Sequence, residues 1–317
     1  MSMGAPEAPA VWEAQFERAE DFPPTPVRHR LVLCSTPRCG SHYLGHRLRA
    51  AGLGYPLEYV NAANLMRWRT RAAGEAAQIG APAPLSPLDH VKRHRTAPGG
   101  IFAIKVHHNQ LAAFLAEEPD PLGCRFVLIE RDDMLAQAVS YAWAAQTGAW
   151  ISGMAETGTP RYDRTLIAEK LEAIAAGRAG WRAFLAANAI RPLSLSFEHV
   201  RAEPAAAVAA IAAYLGLDPS AHRLPDTEHG FAPRAQSDGR KRDWAQRFVE
   251  QTAEALSAGQ AVPGHTPQHA RPAKPRSLQR VVGRVMRRIR RRKTDPGPTR
   301  TPHPGRGRNT DPQTETS

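Results

Sequence analysis

Two groups of basic and hydroxyl side chains in this sequence could bind an anion, and the first occupies one loop. The loop reads Ser35-Thr-Pro-Arg-Cys-Gly-Ser41 and stands between a short apolar run and a helix-like stretch. Backbone N–H groups at the start of a helix face an anion, and the helix dipole favours negative charge there. Arg38 adds a fixed cation and Ser41 a hydroxyl. The loop lacks the first glycine and the lysine of the GxxxxGK[ST] motif, so it does not indicate a nucleoside triphosphatase.

The second group follows another apolar run. Arg131 comes just after residues 124–129, and Ser140 follows nine residues later in a helix-like stretch. In open α/β sheets, ligands bind outside the carboxyl ends of the strands, and an arginine here would lie at such an end. Taken alone, each group is consistent with a structural turn or strand end. Taken together, the two groups strengthen the case for an anion site.

The elements around these groups predict an α/β fold. Short apolar runs predict four strands, at 31–34, 101–106, 124–129 and 193–197. Helices are expected at 42–51, 134–146 and 205–215, and a helix with loops within 70–99. Strands that alternate with helices indicate a parallel sheet with helices on both faces. The predicted fold is a P-loop-like parallel sheet flanked by helices, with a disordered basic C-terminal tail.

Several motifs in order resemble those of sulfotransferases that use 3′-phosphoadenosine 5′-phosphosulfate (PAPS). The two anion-binding groups look like the two phosphate-binding signatures of that superfamily. The stretch Ser196-Phe-Glu-His-Val200, with Glu203-Pro204 and Tyr214-Leu-Gly216 after it, is similar to a later superfamily segment. More narrowly, the chain resembles the trehalose 2-sulfotransferase-like branch of bacteria, on the motifs at 136–144, 180–184 and 236–244. The resemblance covers residues 30 to 250 and implies a PAPS-dependent carbohydrate sulfotransferase.

The resemblance also implies roles for particular residues. The loop around the 5′-phosphosulfate would comprise Ser35, Arg38, Cys39, Gly40, Ser41 and His42. Arg131 and Ser140 match the pair that binds the 3′-phosphate. Gln236 and Arg240 fall where a late loop closes over the nucleotide.

Two residues compete for the role of general base. The resemblance gives Glu58 the base position of the bacterial branch, whereas Lys105-Val-His107 looks like the Lys-x-His of animal cytosolic sulfotransferases. We favour Glu58. Tyr55 replaces a glutamate expected to help hold the disaccharide, which puts trehalose itself in doubt. No metal is expected, because Arg38 and the loop amides would stabilise the transferred group.

The basic charge of the chain is concentrated at its C-terminal end. The net charge is +12, but residues 271–317 hold 14 basic residues against three acidic ones. The sequence predicts a leader at 1–29, a catalytic domain at 30–261 and a Pro- and Arg-rich tail at 262–317. Apolar residues at helical spacing predict a basic amphipathic helix over 277–293. Such a helix favours an anionic membrane surface; docking on the body and nonspecific contact with nucleic acid are the alternatives.

The cysteine content and the N-terminal residues indicate where in the cell the protein would be found. Three cysteines exclude a disulfide scaffold, and the acidic N-terminus has no apolar core of a secretory signal, so we expect a cytoplasmic protein, peripheral at the inner membrane face. The acceptor is left open between soluble and lipid-linked sugars, and so is the oligomeric state. A kinase-like phosphotransferase or a non-catalytic nucleotide-binding module are the alternatives. Trp143 and Trp181 are interpreted as core residues, although a tryptophan at a pocket mouth could stack on a sugar.

Overall fold

The fold was analysed in a computed structural model, which describes residues 11–225 and 239–264. Its centre is a parallel sheet in the order β2-β1-β3-β4. The four strands are β1 (His29–Ser35), β2 (Ile101–His107), β3 (Arg125–Glu130) and β4 (Leu193–Ser196). Each lies where an apolar run predicts it, and the parallel α/β sheet flanked by helices is confirmed.

Helices cover both faces of this sheet. They are α1 (Val11–Ala14), α2 (Ser41–Ala50), α3 (Ala62–Gln78), α4 (Pro87–Arg95), α5 (Leu111–Glu117), α6 (Met134–Thr147), α7 (Arg164–Ala187), α8 (Phe197–Ala202), α9 (Pro204–Tyr214) and α10 (Gly239–Ser257). The predicted helices at 42–51, 134–146 and 205–215 correspond to α2, α6 and α9. Within the described ranges, no helix is both long enough and apolar enough to cross a membrane.

Strand residues are buried alternately on the two faces of the sheet. On one face, Leu31 and Leu33 of β1 form a core with Leu44 of α2 and Ile211 of α9. On the other face, the ring of Phe126 in β3 packs against Phe184 in α7, with ring centroids 6.1 Å apart. Because both faces are covered, the middle residues of β1, β2 and β3 are mostly apolar and buried, as is usual for parallel sheets.

The register of the strands brings the candidate site residues to one edge. Ser35 at the end of β1 is paired with His107 at the end of β2. Cys34 of β1 is paired with Leu128 of β3, so Arg131, just after β3, leaves the sheet at the same edge. This is the carboxyl edge, where open α/β sheets bind their ligands.

Part of the predicted leader packs against the domain. Phe16 is buried, and Asp21 forms ion pairs with Arg71 and Arg95, from α3 and α4. Burial alone would raise the pKa of Asp21, but hydrogen bonds from His94 and Arg71 lower it to about 2. These contacts hold the segment before β1 on the outer side of α3 and α4. The predicted tail at 262–317, with its helix at 277–293, lies outside the described residues apart from its first three positions.

Candidate active site

A pocket of about 840 Å³ lies at the carboxyl edge of the sheet. Its wall brings together side chains from the segments that follow β1, β2 and β3. The sequence-predicted residues on this wall are Arg38, Gly40, Ser41, His42, Glu58, Lys105, His107, Arg131 and Ser140. Residues more than 100 positions apart in the chain therefore face one cavity, as the combination of the two anion-binding groups predicts.

The first loop turns sharply into α2. Gly40 has a φ of 85° and precedes the first helical residue, Ser41. A Cβ at Gly40 would clash with the ring of Phe197, so the backbone conformation and the space both require glycine. The first N–H groups of any α-helix have no partner within the helix, which leaves those of α2 available to an anion. Burial lowers the pKa of His42 well below its usual value, so its imidazole is neutral beside His46.

Arg38 connects the first loop with the second group. Its Nε donates a hydrogen bond to Ser140 Oγ at 3.1 Å, and its Nη1 donates to the carbonyl oxygen of Trp150. Burial, together with the charge of Arg131, lowers the pKa of Arg38 to about 10. The guanidinium is therefore still charged at neutral pH. Ser140, which the resemblance pairs with Arg131, is bonded to Arg38 in the described structure.

Arg131 lies at the pocket wall with one nitrogen uncommitted. Its Nε is buried and has no hydrogen-bond partner among the described residues. The same Nε lies 3.9 Å from Oε1 of Glu198, an ion pair too long to be a hydrogen bond. A buried N–H without an acceptor is costly, and an anion in the pocket would satisfy it.

Glu58 is held by three donors from β2 and the turn that follows. Its Oε1 lies 2.9 Å from Lys105 Nζ and 3.2 Å from His107 Nε2, and its Oε2 accepts a hydrogen bond of 2.7 Å from Gln110. Burial acts to raise the pKa of Glu58, but the charges of His107 and Lys105 outweigh it and hold the pKa well below its usual value. The carboxylate is therefore ionised at neutral pH while it faces the pocket.

The two candidate bases differ in the atoms they have available. His107 uses both ring nitrogens within the protein: Nδ1 lies 2.8 Å from Ser35 Oγ, and Nε2 lies 3.2 Å from Glu58 Oε1. A histidine in this arrangement orients its partners and has no lone pair directed at an acceptor in the cavity. Glu58 is the acidic member of this cluster on the pocket wall.

Three predicted residues among those described do not line the pocket. Cys39, predicted as part of the donor loop, has its thiol buried in the core with Leu44, so only its backbone is on the side of the pocket wall. Ser35 is buried behind the wall and bonds to His107. Arg240 lies over the ring of Trp143, 4.5 Å from its centroid, while its neighbours Lys241 and Arg242 line the pocket. Gln236 lies outside the described residues.

The position that departs from the bacterial branch also lies off the wall. Tyr55 is buried, with its hydroxyl directed to Gln15 at 3.4 Å. The Arg49 guanidinium lies over its ring, 4.3 Å from the centroid. Tyr55 is therefore a core residue and does not face the pocket. A glutamate at this position would be buried away from an acceptor in the pocket.

Sequence reasoning missed a buried hydrogen-bond network behind the wall. Gln137 Nε2 donates to Thr36 Oγ1 at 2.9 Å and to the carbonyl oxygen of Pro37 at 2.7 Å. Its Oε1 accepts a hydrogen bond of 2.9 Å from Arg178 Nη2, which also donates to the carbonyl oxygen of Arg131. The two residues thus join the backbone after β1 to the backbone after β3. The signal in the sequence is Gln137, an amide among the otherwise apolar residues 134–139.

Comparisons with known proteins match the chain to sulfotransferases. Residues 122–251 match the Stf0 sulphotransferase family. The chain is 26% identical over 259 residues to a trehalose 2-sulfotransferase of Mycobacterium tuberculosis, covering 70% of this chain and 94% of the relative. It is 25% identical over 179 residues to a trehalose 2-sulfotransferase of Mycolicibacterium smegmatis, covering 50% and 65%.

A solved sulfotransferase domain from the olefin synthase of Synechococcus PCC 7002 is 15% identical to the chain, with a TM-score of 0.41 over 78% of this chain and 99% of that domain.

The matched family and both relatives are sulfotransferases, and the chain is therefore a sulfotransferase built on a parallel sheet. Within that class, residues 122–251 match the Stf0 sulfotransferases, and both relatives are trehalose 2-sulfotransferases. The donor used by this family is PAPS, which carries a phosphosulfate and a separate 3′-phosphate. The residues present suit such a donor, because the α2 amides with Arg38 and the unpartnered Nε of Arg131 provide two places for anionic groups.

Proposed function

We propose that the protein transfers the sulfuryl group of PAPS to a hydroxyl group of a carbohydrate. The observation that carries this proposal is an ionised Glu58 that shares one pocket with the donor loop. A sulfotransferase must activate an acceptor hydroxyl close to its donor, and a carboxylate held ionised in that place has this capacity. The trehalose 2-sulfotransferases among the relatives indicate a sugar as the acceptor class.

The donor residues act by charge and hydrogen bonding. Arg38, Ser41 and the first amides of α2 bind the phosphosulfate, and Arg131 binds the 3′-phosphate. When it is bound, PAPS supplies an activated sulfuryl group. The fixed cations stabilise charge on the transferred group and on the departing phosphate without reorganising. In this proposal no metal ion is needed.

Glu58 receives the proton. As the acceptor oxygen forms its bond to sulfur, the bond from sulfur to the phosphate oxygen breaks, and the hydroxyl proton moves to a Glu58 oxygen. The products are a sulfate ester and 3′-phosphoadenosine 5′-phosphate (PAP). Lys105, His107 and Gln110 are positioning residues, which hold the carboxylate and keep it ionised until the proton arrives.

Transfer of radiolabelled sulfate from PAPS to a panel of sugars, beginning with trehalose, tests the proposal. We expect labelled product with the wild-type chain. Glu58→Gln should lower turnover about 100-fold or more, the usual scale for losing a general base. It should leave PAP affinity unchanged by isothermal titration calorimetry. Glu172→Gln changes an exposed glutamate of α7 away from the pocket and is the matched control.

Three results would contradict the proposal. Loss of turnover in His107→Ala together with full turnover in Glu58→Gln would give the base role to the histidine. Stabilisation by ATP with Mg²⁺ but not by PAP, measured as a thermal shift, would favour a kinase-like phosphotransferase. PAP binding with no transfer to any acceptor in cell extracts would favour a non-catalytic binding module.

A further inference from the structure

Trp150 differs from Trp143 and Trp181 in the fraction of its side chain that is exposed. Trp143 and Trp181 are buried, with 3% and 0% exposure, as interpreted from the sequence. Trp150 is 42% exposed and lines the pocket. An indole ring left partly open to water costs hydrophobic free energy, which a ligand lying on it would recover.

The position of Trp150 is fixed relative to the reacting groups. Its carbonyl oxygen accepts a hydrogen bond from Arg38, the cation of the donor loop. Its ring meets Tyr141 edge to face, with centroids 6.0 Å apart. Tyr141 also lines the pocket, and it lies close enough to Glu58 for the carboxylate charge, after burial, to help raise the tyrosine pKa. Trp150 is therefore in contact with the donor loop, and its neighbour Tyr141 is close to Glu58.

The polar groups beside this ring suit an uncharged polyol. Asn61 and Asn109 line the same pocket. Asn61 Oδ1 accepts a hydrogen bond from the Ala63 N–H, which leaves the Asn61 amide as a donor, whereas the Asn109 amide can both donate and accept. A pyranose ring has an apolar face of C–H bonds and a rim of hydroxyl groups. Binding sites for such ligands combine a flat apolar surface with a few placed polar groups.

We propose that the Trp150 ring is the platform on which the pyranose ring of the acceptor stacks, with its hydroxyl groups directed to Glu58 and the pocket amides. The inference rests on the proposed carbohydrate acceptor and adds to it a particular binding surface. Tyr141 buttresses the indole, and the hydrogen bond from Arg38 places the stacked ring beside the donor. Trp150 thus orients the acceptor and takes no part in the proton transfer.

Steady-state kinetics with PAPS and trehalose, on the full chain, tests the platform. Trp150→Ala should raise the KM for trehalose about tenfold or more, because the stacking surface is lost. Trp150→Phe keeps an aromatic face and should recover most of this loss. PAP affinity by calorimetry should not change in either variant. Met66→Ala changes a side chain that is 57% exposed and off the pocket wall, and is the control.

The outcomes separate the platform from the proposed function. Transfer by the wild type with an unchanged trehalose KM in Trp150→Ala would refute the platform alone. A weaker PAP affinity in Trp150→Ala with the same KM for trehalose would place the ring on the adenine of the donor instead. No transfer by the wild type to trehalose or to any other sugar of the panel would refute the carbohydrate acceptor, and the platform with it.

Discussion

Replacing Gln137 with leucine should loosen the donor loop from behind. The leucine has a similar volume but makes none of the three hydrogen bonds of the amide, which join it to Thr36, Pro37 and Arg178. Neutral hydrogen bonds contribute about 1 kcal/mol each, and one to a charged group about 1.5–3 kcal/mol. The free energy of unfolding should therefore fall by about 3–5 kcal/mol. PAP affinity should fall about tenfold, a change of about 1.4 kcal/mol, because the loop must be ordered on binding.

Chemical denaturation and calorimetry with PAP measure the two effects separately. Gln146→Leu is the matched control, since Gln146 is in the same helix but bonds to the backbone of Arg161, away from the donor loop. It should leave PAP affinity unchanged. Gln137→Glu keeps an acceptor for Arg178 but turns a carboxylate oxygen toward the carbonyl of Pro37, so it should weaken PAP at least as much as leucine does. Wild-type stability and PAP affinity in Gln137→Leu would refute the reasoning.

Three other outcomes can be measured on the same protein. Arg38→Ala and Arg131→Ala should each weaken PAP binding by about 1.5–3 kcal/mol in calorimetry, and wild-type affinity in a folded Arg131→Ala would refute the second site. Lys105→Met removes a cation that lowers the pKa of Glu58, so the acidic limb of the kcat/KM profile should move to higher pH; a limb that stays in place would contradict the assigned base. The full chain should sediment with anionic liposomes, in a salt-dependent way, whereas a chain truncated after Gly264 should not, and equal sedimentation of both would remove the membrane hypothesis.

The strands and the shared edge could be predicted because they depend on local patterns. The apolar runs before Ser35 and Arg131 are fully buried strands, and a parallel sheet collects whatever follows them at one edge. That is sufficient to bring Arg38, Ser140 and Glu58 to one pocket once the family motifs have indicated which residues matter. The longest described helix, α7, is not among the predicted helices, and only the family motif at 180–184 lies within it.

The directions of individual side chains could not be predicted in the same way. The donor loop contains two positive φ angles, at Arg38 and Gly40, so the alternation of a strand and the period of a helix both fail there. As a result, nothing in the spacing indicates that Cys39 points into the core. Nor does any local pattern distinguish Trp150 from Trp143, since the difference depends on where α6 ends.

Arg178 and Gln137 couple the two proposed donor loops through hydrogen bonds to the backbone of each. A substitution that shifts the backbone after β1 should therefore also act on the backbone after β3, through these hydrogen bonds. The pocket wall at 150–154 follows the end of α6 and is outside this network. If Trp150 binds the acceptor as proposed, side-chain substitutions in this short segment should change which acceptor is bound. They should leave the hydrogen bond from Arg38 to the Trp150 carbonyl, and with it the donor site, unchanged.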